Sequence, residues 1–146
     1  MSRFKGMQRN RSSQSGKELF IQKVTVVSEQ INNLHVRATI NEFKIDNDGS
    51  EELGGSHKSP SPMESLLATL ANCLEQTALL YFTVMGLKIN SVKVMVEGTQ
   101  DKRSSLNPKE SPFPGFYDFH ITWFVDSSDD LKRIKRIVEK VKDSVQ

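Results

Sequence analysis

GGSHKSPSPMESLLATLANC, residues 54–73 of a 146-residue chain, decides the fold. Within it a loop of Gly, Ser and Pro gives way to an unbroken Leu/Ala run. Ser61 stands at the N-cap position and Pro62 at the first helical position. Glu64 completes a Ser-x-x-Glu capping box. The run continues to Met85 with two formal charges, Glu64 and Glu75, and Gly86 is a natural stop. Apolar residues cover most of the circumference, which predicts a central, buried helix over Met63–Met85.

Upstream, LFIQKVTVV (Leu19 to Val27) is β-branched and aromatic and reads as a strand. A turn follows at Asn32-Asn33. Leu34, Val36, Ala38 and Ile40 then alternate with His35, Arg37, Thr39 and Asn41. That period predicts a half-buried strand, continuing through Phe43 and Ile45 after an irregularity, and a hairpin with the first strand. Asn47 to Ser61 is a loop. Downstream, Val92, Val94 and Val96 mark one strand, and Phe119, Ile121, Trp123 and Val125 another. A long loop with Pro108, Pro112 and Pro114 separates them, and loops of that length are often functional. Ser127 or Ser128 is the expected cap of a last helix. Its apolar stripe is Leu131, Ile134, Ile137, Val138 and Val141. The order β-β-α-β-β-α predicts an α+β domain of antiparallel sheet around one buried helix.

Length fits one domain, read as residues 19–146, behind a basic, disordered tail over residues 1–18. The tail carries Arg3, Lys5, Arg9, Arg11 and Lys17 against Glu18, while the rest holds 15 basic and 17 acidic residues. A basic arm attracts anionic surfaces. This one lacks interleaved aromatic residues, so nucleic acid is not the expected partner. No apolar run approaches the roughly 20 residues of a membrane helix. No apolar stretch follows the basic N-terminus before Leu19, so neither a secretory signal nor a membrane partner is expected. The only cysteine is Cys73, which rules out an intramolecular disulfide and fits a reducing cytoplasm.

From spacing alone, Cys73 reads as a core thiol. A reactive one needs a thiolate, and a free Cys has a pKa of about 8.5. Cys73 lies eleven residues past Pro62, beyond the reach of the helix dipole, and the helix contains no Lys or Arg. Glu64, nine residues earlier, points to the opposite side, roughly 13 Å away along the axis. Its plain reading is the capping box; its functional reading is an anchor for an Arg that bridges toward the sulfur. His35, His57 and His120 show no metal spacing, and no phosphate or dinucleotide loop is present. No cofactor and no metal are therefore expected.

The segment from Gly54 to Cys73 resembles the signature of the OsmC/Ohr family. The shared features are a Gly-rich loop, a Pro-x-Glu helix start, a Leu/Ala helix and a Cys eleven residues after the Pro. Gly86-Leu87-Lys88-Ile89 is similar to the family's lead into the next strand. The resemblance implies an intertwined homodimer with two central helices and active sites at the interface. It implies that Cys73 attacks the peroxide oxygen. A nearby Arg, held by a Glu, would stabilise the thiolate, and a second Cys would close a disulfide. This chain departs from the pattern. Met63 follows the helix Pro where the family most often has its Glu, so Glu64 stands in, as in branches reading Pro-Met-Glu. Val145 falls about where the second Cys would be, and the family's final strand is expected to be absent or rebuilt differently. Arg37 and Arg103 are the candidate arginines. Arg103 is favoured because related branches carry an Arg in this loop. The implied activity is reduction of organic hydroperoxides by one cysteine, in response to oxidative or osmotic stress, with an external thiol as reductant. The alternative is a non-catalytic relative that binds an apolar ligand at the dimer interface.

Overall fold

The computed structural model describes residues 21–103, 107, 109 and 115–144. The tail at 1–18 and much of the proline-rich loop lie outside the described residues. β1 (Val27–Asn32) and β2 (His35–Ile40) form an antiparallel hairpin whose turn holds Asn33 at φ 51°. β3 (Phe43–Asn47) returns beside β2 after a second turn, with Asn41 at φ 55°. Asn tolerates this left-handed backbone because its short amide bonds locally. Two expectations are thereby corrected. Residues 21–26 are not strand, because β2 ends at Ile40 and leaves them no neighbour for backbone hydrogen bonds. His35 to Ile45 is not one irregular strand but two, because Asn41-Glu42 reverses the chain.

After a single 3-10 turn at Glu51–Leu53 the chain enters α1 (Pro62–Val84), close to the expected bounds. Ser61 caps it, the capping box is present in both directions, and Gly86 closes it at φ 69°. β4 (Ile89–Gln100) and β5 (Phe116–Ser127) then form a long antiparallel pair. α2 (Leu131–Ser144) ends the described chain. Its first turn is capped by Asp130, whose carboxylate accepts the Lys132 N–H at 3.2 Å, rather than by Ser127 or Ser128. Ser127 Oγ instead donates to Lys88 O, tying β5 to the start of β4. No described helix is long and apolar enough to cross a membrane.

The core lies between the two helices and the inner face of the β4–β5 pair. Leu74, Ala78 and Phe82 of α1 meet Ile134, Ile137 and Val141 of α2, over Val94, Val96 and Ile121. Leu131, expected in that stripe, is 61% exposed, because it sits at the end of the helix. α1 is central as expected, but the rest of its circumference is not buried. Leu66, Leu79, Leu80 and Val84 are exposed. On the β1–β3 sheet Val27, Ile31, Phe43 and Ile45 are exposed.

Gly98 marks the tightest approach in the second sheet. A Cβ there would lie 2.7 Å from the Phe116 ring and 3.1 Å from Leu67 of α1. Overpacking of this kind costs about 1–3 kcal/mol. Gly98→Val is therefore expected to lower the unfolding free energy by about 1–3 kcal/mol, read as lower urea and thermal midpoints. An unchanged midpoint would show that Phe116 has room to move aside.

Candidate active site

The loop that leads into α1 is folded around one carboxylate. Asp48, 1% exposed, accepts backbone N–H bonds from Gly49 (2.8 Å), Ser56 (3.2 Å) and Lys58 (3.2 Å). Burial pushes its pKa up, but these three donors outweigh burial and leave it below the ordinary carboxylate value. Its own N–H donates to Pro60 O at 3.2 Å, so the loop closes on itself just before the helix. Asn47 Nδ2 also reaches Pro60 O at 3.0 Å. Gly55 is required here, since a Cβ on it would collide with the Gly49 carbonyl.

At the helix start, Glu64 accepts the Ser61 N–H at 2.7 Å, and Ser61 Oγ accepts the Glu64 N–H at 3.3 Å. The Ser61 N–H is the main cause holding the Glu64 carboxyl below its usual range. Glu64 borders a hollow of about 450 Å³ together with His57, Lys58, Ser59 and Ser65. Cys73 does not line this hollow. It is exposed, half a helical circumference from Glu64, on the stripe that carries Leu66 and Leu80 seven residues to either side. The core-thiol reading of Cys73 is thus corrected for the single chain. Among the described residues no side chain hydrogen-bonds its sulfur.

Each candidate arginine is already held by an aspartate. Arg37 grips Asp46, its directly opposed residue on β3, through Nε (2.6 Å) and a second nitrogen (2.7 Å). His35 Nε2 lies 3.1 Å from the same carboxylate. The Arg37 hydrogen bonds drive the Asp46 pKa far below the usual range and raise that of Arg37. Arg103 grips Asp101 at the end of β4, with Nε 3.0 Å from both carboxylate oxygens. That contact lowers the Asp101 pKa to about 2. Arg103 itself is 73% exposed. The structure brings neither arginine into a hydrogen bond with Glu64 or Cys73.

The two aspartate partners were missed by sequence reasoning, although Asp101-x-Arg103 stands in plain view. Asp46 was legible only once the β2–β3 turn had been recognised, since the turn sets the register. The segment carrying Arg103 does approach the start of α1. Gly98 lies over Leu67, and Lys102 acts electrostatically on Glu64. Among the described residues, no three His, Cys, Asp or Glu side chains converge on a metal position.

Residues 55–144 match the family model described as OsmC-like protein. Solved structures share the fold. An OsmC-like protein from Mycoplasma pneumoniae is 22% identical with a TM-score of 0.69, over 83% of this chain and 81% of that one. An organic hydroperoxide resistance protein OsmC from Legionella pneumophila is 18% identical with a TM-score of 0.59, over 86% and 85%. An OsmC-like protein of unknown function from Vibrio cholerae is 10% identical with a TM-score of 0.62, over 86% and 90%. No curated protein matches.

The Arg37–Asp46 pair gives a pH prediction. A carboxylate depressed in the folded state stabilises above its unfolded pKa of about 3.9, and that stability is lost as pH falls toward the folded value. Arg37→Met is expected to flatten the dependence of the unfolding midpoint on pH below about pH 4. An acid-unfolding series with the parental slope would show that another carboxylate dominates.

Proposed function

This chain belongs to the OsmC-like protein family, and on that premise we propose that it reduces organic hydroperoxides through the thiol of Cys73. One observation carries the reading: the only cysteine stands exposed on an apolar stripe of the central helix, where a hydrophobic peroxide has access. The name of the Legionella pneumophila relative supports the substrate class. In the reaction the Cys73 thiolate attacks the outer peroxide oxygen. An S–O bond forms and the O–O bond breaks. The alkoxide leaves with a proton as the alcohol, and Cys73 becomes a sulfenic acid. A first external thiol then condenses with it, releasing water and forming a mixed disulfide. A second external thiol releases Cys73 and leaves as the oxidised disulfide. The external donor is required because the chain has no second cysteine. A reducing cytoplasm suits that supply.

The working form in this reading is a homodimer. Leu66, Leu79, Leu80 and Val84 on α1, with Val27, Ile31, Phe43 and Ile45 on the β1–β3 sheet, are exposed apolar surfaces that a second copy covers. A thiolate on an apolar surface needs a cation beside it. Arg103 is the better candidate, because its segment reaches the first turns of α1. The fork to Asp101 restricts its guanidinium. Arg37 is the second candidate. Glu64 shapes the helix start and lies within electrostatic reach of the Arg103 segment through Lys102.

A second reading draws on the same contacts. Both candidate arginines are already paired with aspartates, and neither hydrogen-bonds the Cys73 sulfur. A chain of this kind would bind an apolar ligand at the dimer interface and reduce nothing. Three measurements decide. With a dithiol donor, Cys73→Ser is expected to abolish consumption of cumene hydroperoxide; a variant as fast as the parent would sink the proposal. Arg103→Ala is expected to raise the Cys73 thiol pKa and lower kcat/KM by about 10²-fold, the scale of losing one charge-stabilising donor. A native thiol titrating near about 8.5 instead supports the ligand-binding reading. Placing charges on the stripe with Leu66→Glu and Leu80→Glu is expected to yield monomers by light scattering, and an unchanged mass would move the interface elsewhere.

A further inference from the structure

On α1 the helical neighbours of Cys73 are Thr69 and Leu70 one turn before it and Gln76 and Thr77 one turn after. All but Leu70 carry a hydrogen-bonding side chain. The charged side chains of α1 are Glu64 and Glu75, and both point away from the sulfur. Their spacing places them about 180° and 160° around the axis from Cys73. The immediate surroundings that the helix gives its thiol are therefore polar but uncharged.

The threonines of α1 differ in what their hydroxyls do. Thr69 donates to Ser65 O at 2.8 Å, and Thr83 donates to Leu79 O at 2.7 Å. Bonding back to the carbonyl four residues earlier is a common use of a helical hydroxyl. For Thr77 that carbonyl belongs to Cys73. The Thr77 hydroxyl bonds neither to it nor to any other described residue. Gln76 is exposed, and its amide is likewise without a hydrogen bond among the described residues. Side chains on a helix lean toward its N-terminus, so Gln76 and Thr77 lean over the turn that holds Cys73. The exposed sulfur thus has two unengaged donors on the turn after it, while the hydroxyl on the turn before it is already engaged.

A nearby cation favours a thiolate, and so do hydrogen bonds to the charged sulfur. We propose that the Gln76 amide N–H and the Thr77 hydroxyl donate to the Cys73 thiolate and hold it in its charged form. This rests on the reading that Cys73 reacts as a thiolate. Both groups reach the sulfur by rotation about their own side-chain bonds, with no movement of the helix. Uncharged donors suit an apolar interface because they bring no second charge to be desolvated. Where a second copy excludes water, each bond gains strength. An arginine arriving from another segment adds to the same effect.

The test reads the thiol without requiring turnover. The rate at which iodoacetamide alkylates the sole cysteine is followed against pH, and its midpoint marks ionisation of Cys73. Thr77→Val keeps the shape and removes the hydroxyl; it is expected to move the midpoint up, as is Gln76→Met. Together they are expected to move it by about one unit, the scale of one hydrogen bond to a charged group. Thr77→Ser restores the donor and is expected to keep the parental midpoint. Thr83→Val removes a hydroxyl engaged elsewhere and is expected to leave the midpoint in place. Light scattering follows the mass of each variant. An unmoved midpoint in the double variant overturns the proposal. So does a Thr77→Ser midpoint that moves as far as that of Thr77→Val, or a shift that occurs only with a change in mass. If Thr77→Val does not fold, the exposed Gln76 decides alone, and an unmoved Gln76→Met midpoint overturns the proposal. The peroxide reading fails separately, when Cys73→Ser consumes cumene hydroperoxide like the parent, and that outcome leaves the alkylation midpoints as they are.

Discussion

One buried carboxylate holds this chain in its working shape. Asp48 ends the first sheet and gathers three backbone N–H groups from a loop that would otherwise be extended. A carboxylate is suited to this task because it offers several acceptor sites and no donor, so converging N–H groups all find a partner. The folded loop delivers Ser61 and Pro62 to the helix start, and the capping box then fixes the direction of α1. The position of Glu64, the hollow beside it and the face on which Cys73 stands follow from that one entry angle.

The helix so launched is apolar nearly all round, yet the described residues bury only one side of it. Leu74, Ala78 and Phe82 meet α2 and the β4–β5 pair. Among the described residues the stripe through Leu66, Cys73 and Leu80 stays exposed, as do Val27, Ile31, Phe43 and Ile45 of the β1–β3 sheet. Layered folds bury such faces. In the proposed homodimer a second chain would cover these surfaces and complete the surroundings of Cys73.

Electrostatics in the described chain are largely settled pair by pair. Arg37 has Asp46, Arg103 has Asp101, and Asp48 has its backbone donors. Among the described residues the Ser59 hydroxyl and the Trp123 indole N–H are enclosed without a partner, while Cys73 stands exposed. An unmet buried donor is costly to a folded chain.

The sequence by itself determined the features written within a few consecutive residues. The span and capping of α1 could be read from Ser61, Pro62, Glu64 and Gly86. The β4–β5 pair could be read from period-two alternation, the last helix from its stripe, and the lone Cys73 from a count. These signals are local because a cap or a periodic face is made by neighbours in the chain. Only the tertiary structure decided what touches what. Residues 21–26 lack a strand neighbour, the turn at Asn41 splits one expected strand into two, and Asp46 and Asp101 claim the arginines. The same structure left Cys73 on an uncovered face of a helix whose composition implied burial all round. Hydrophobic pattern tells a helix what to avoid, which is water, but not which surface will cover it. That depends on residues far away in the chain or on another copy of it.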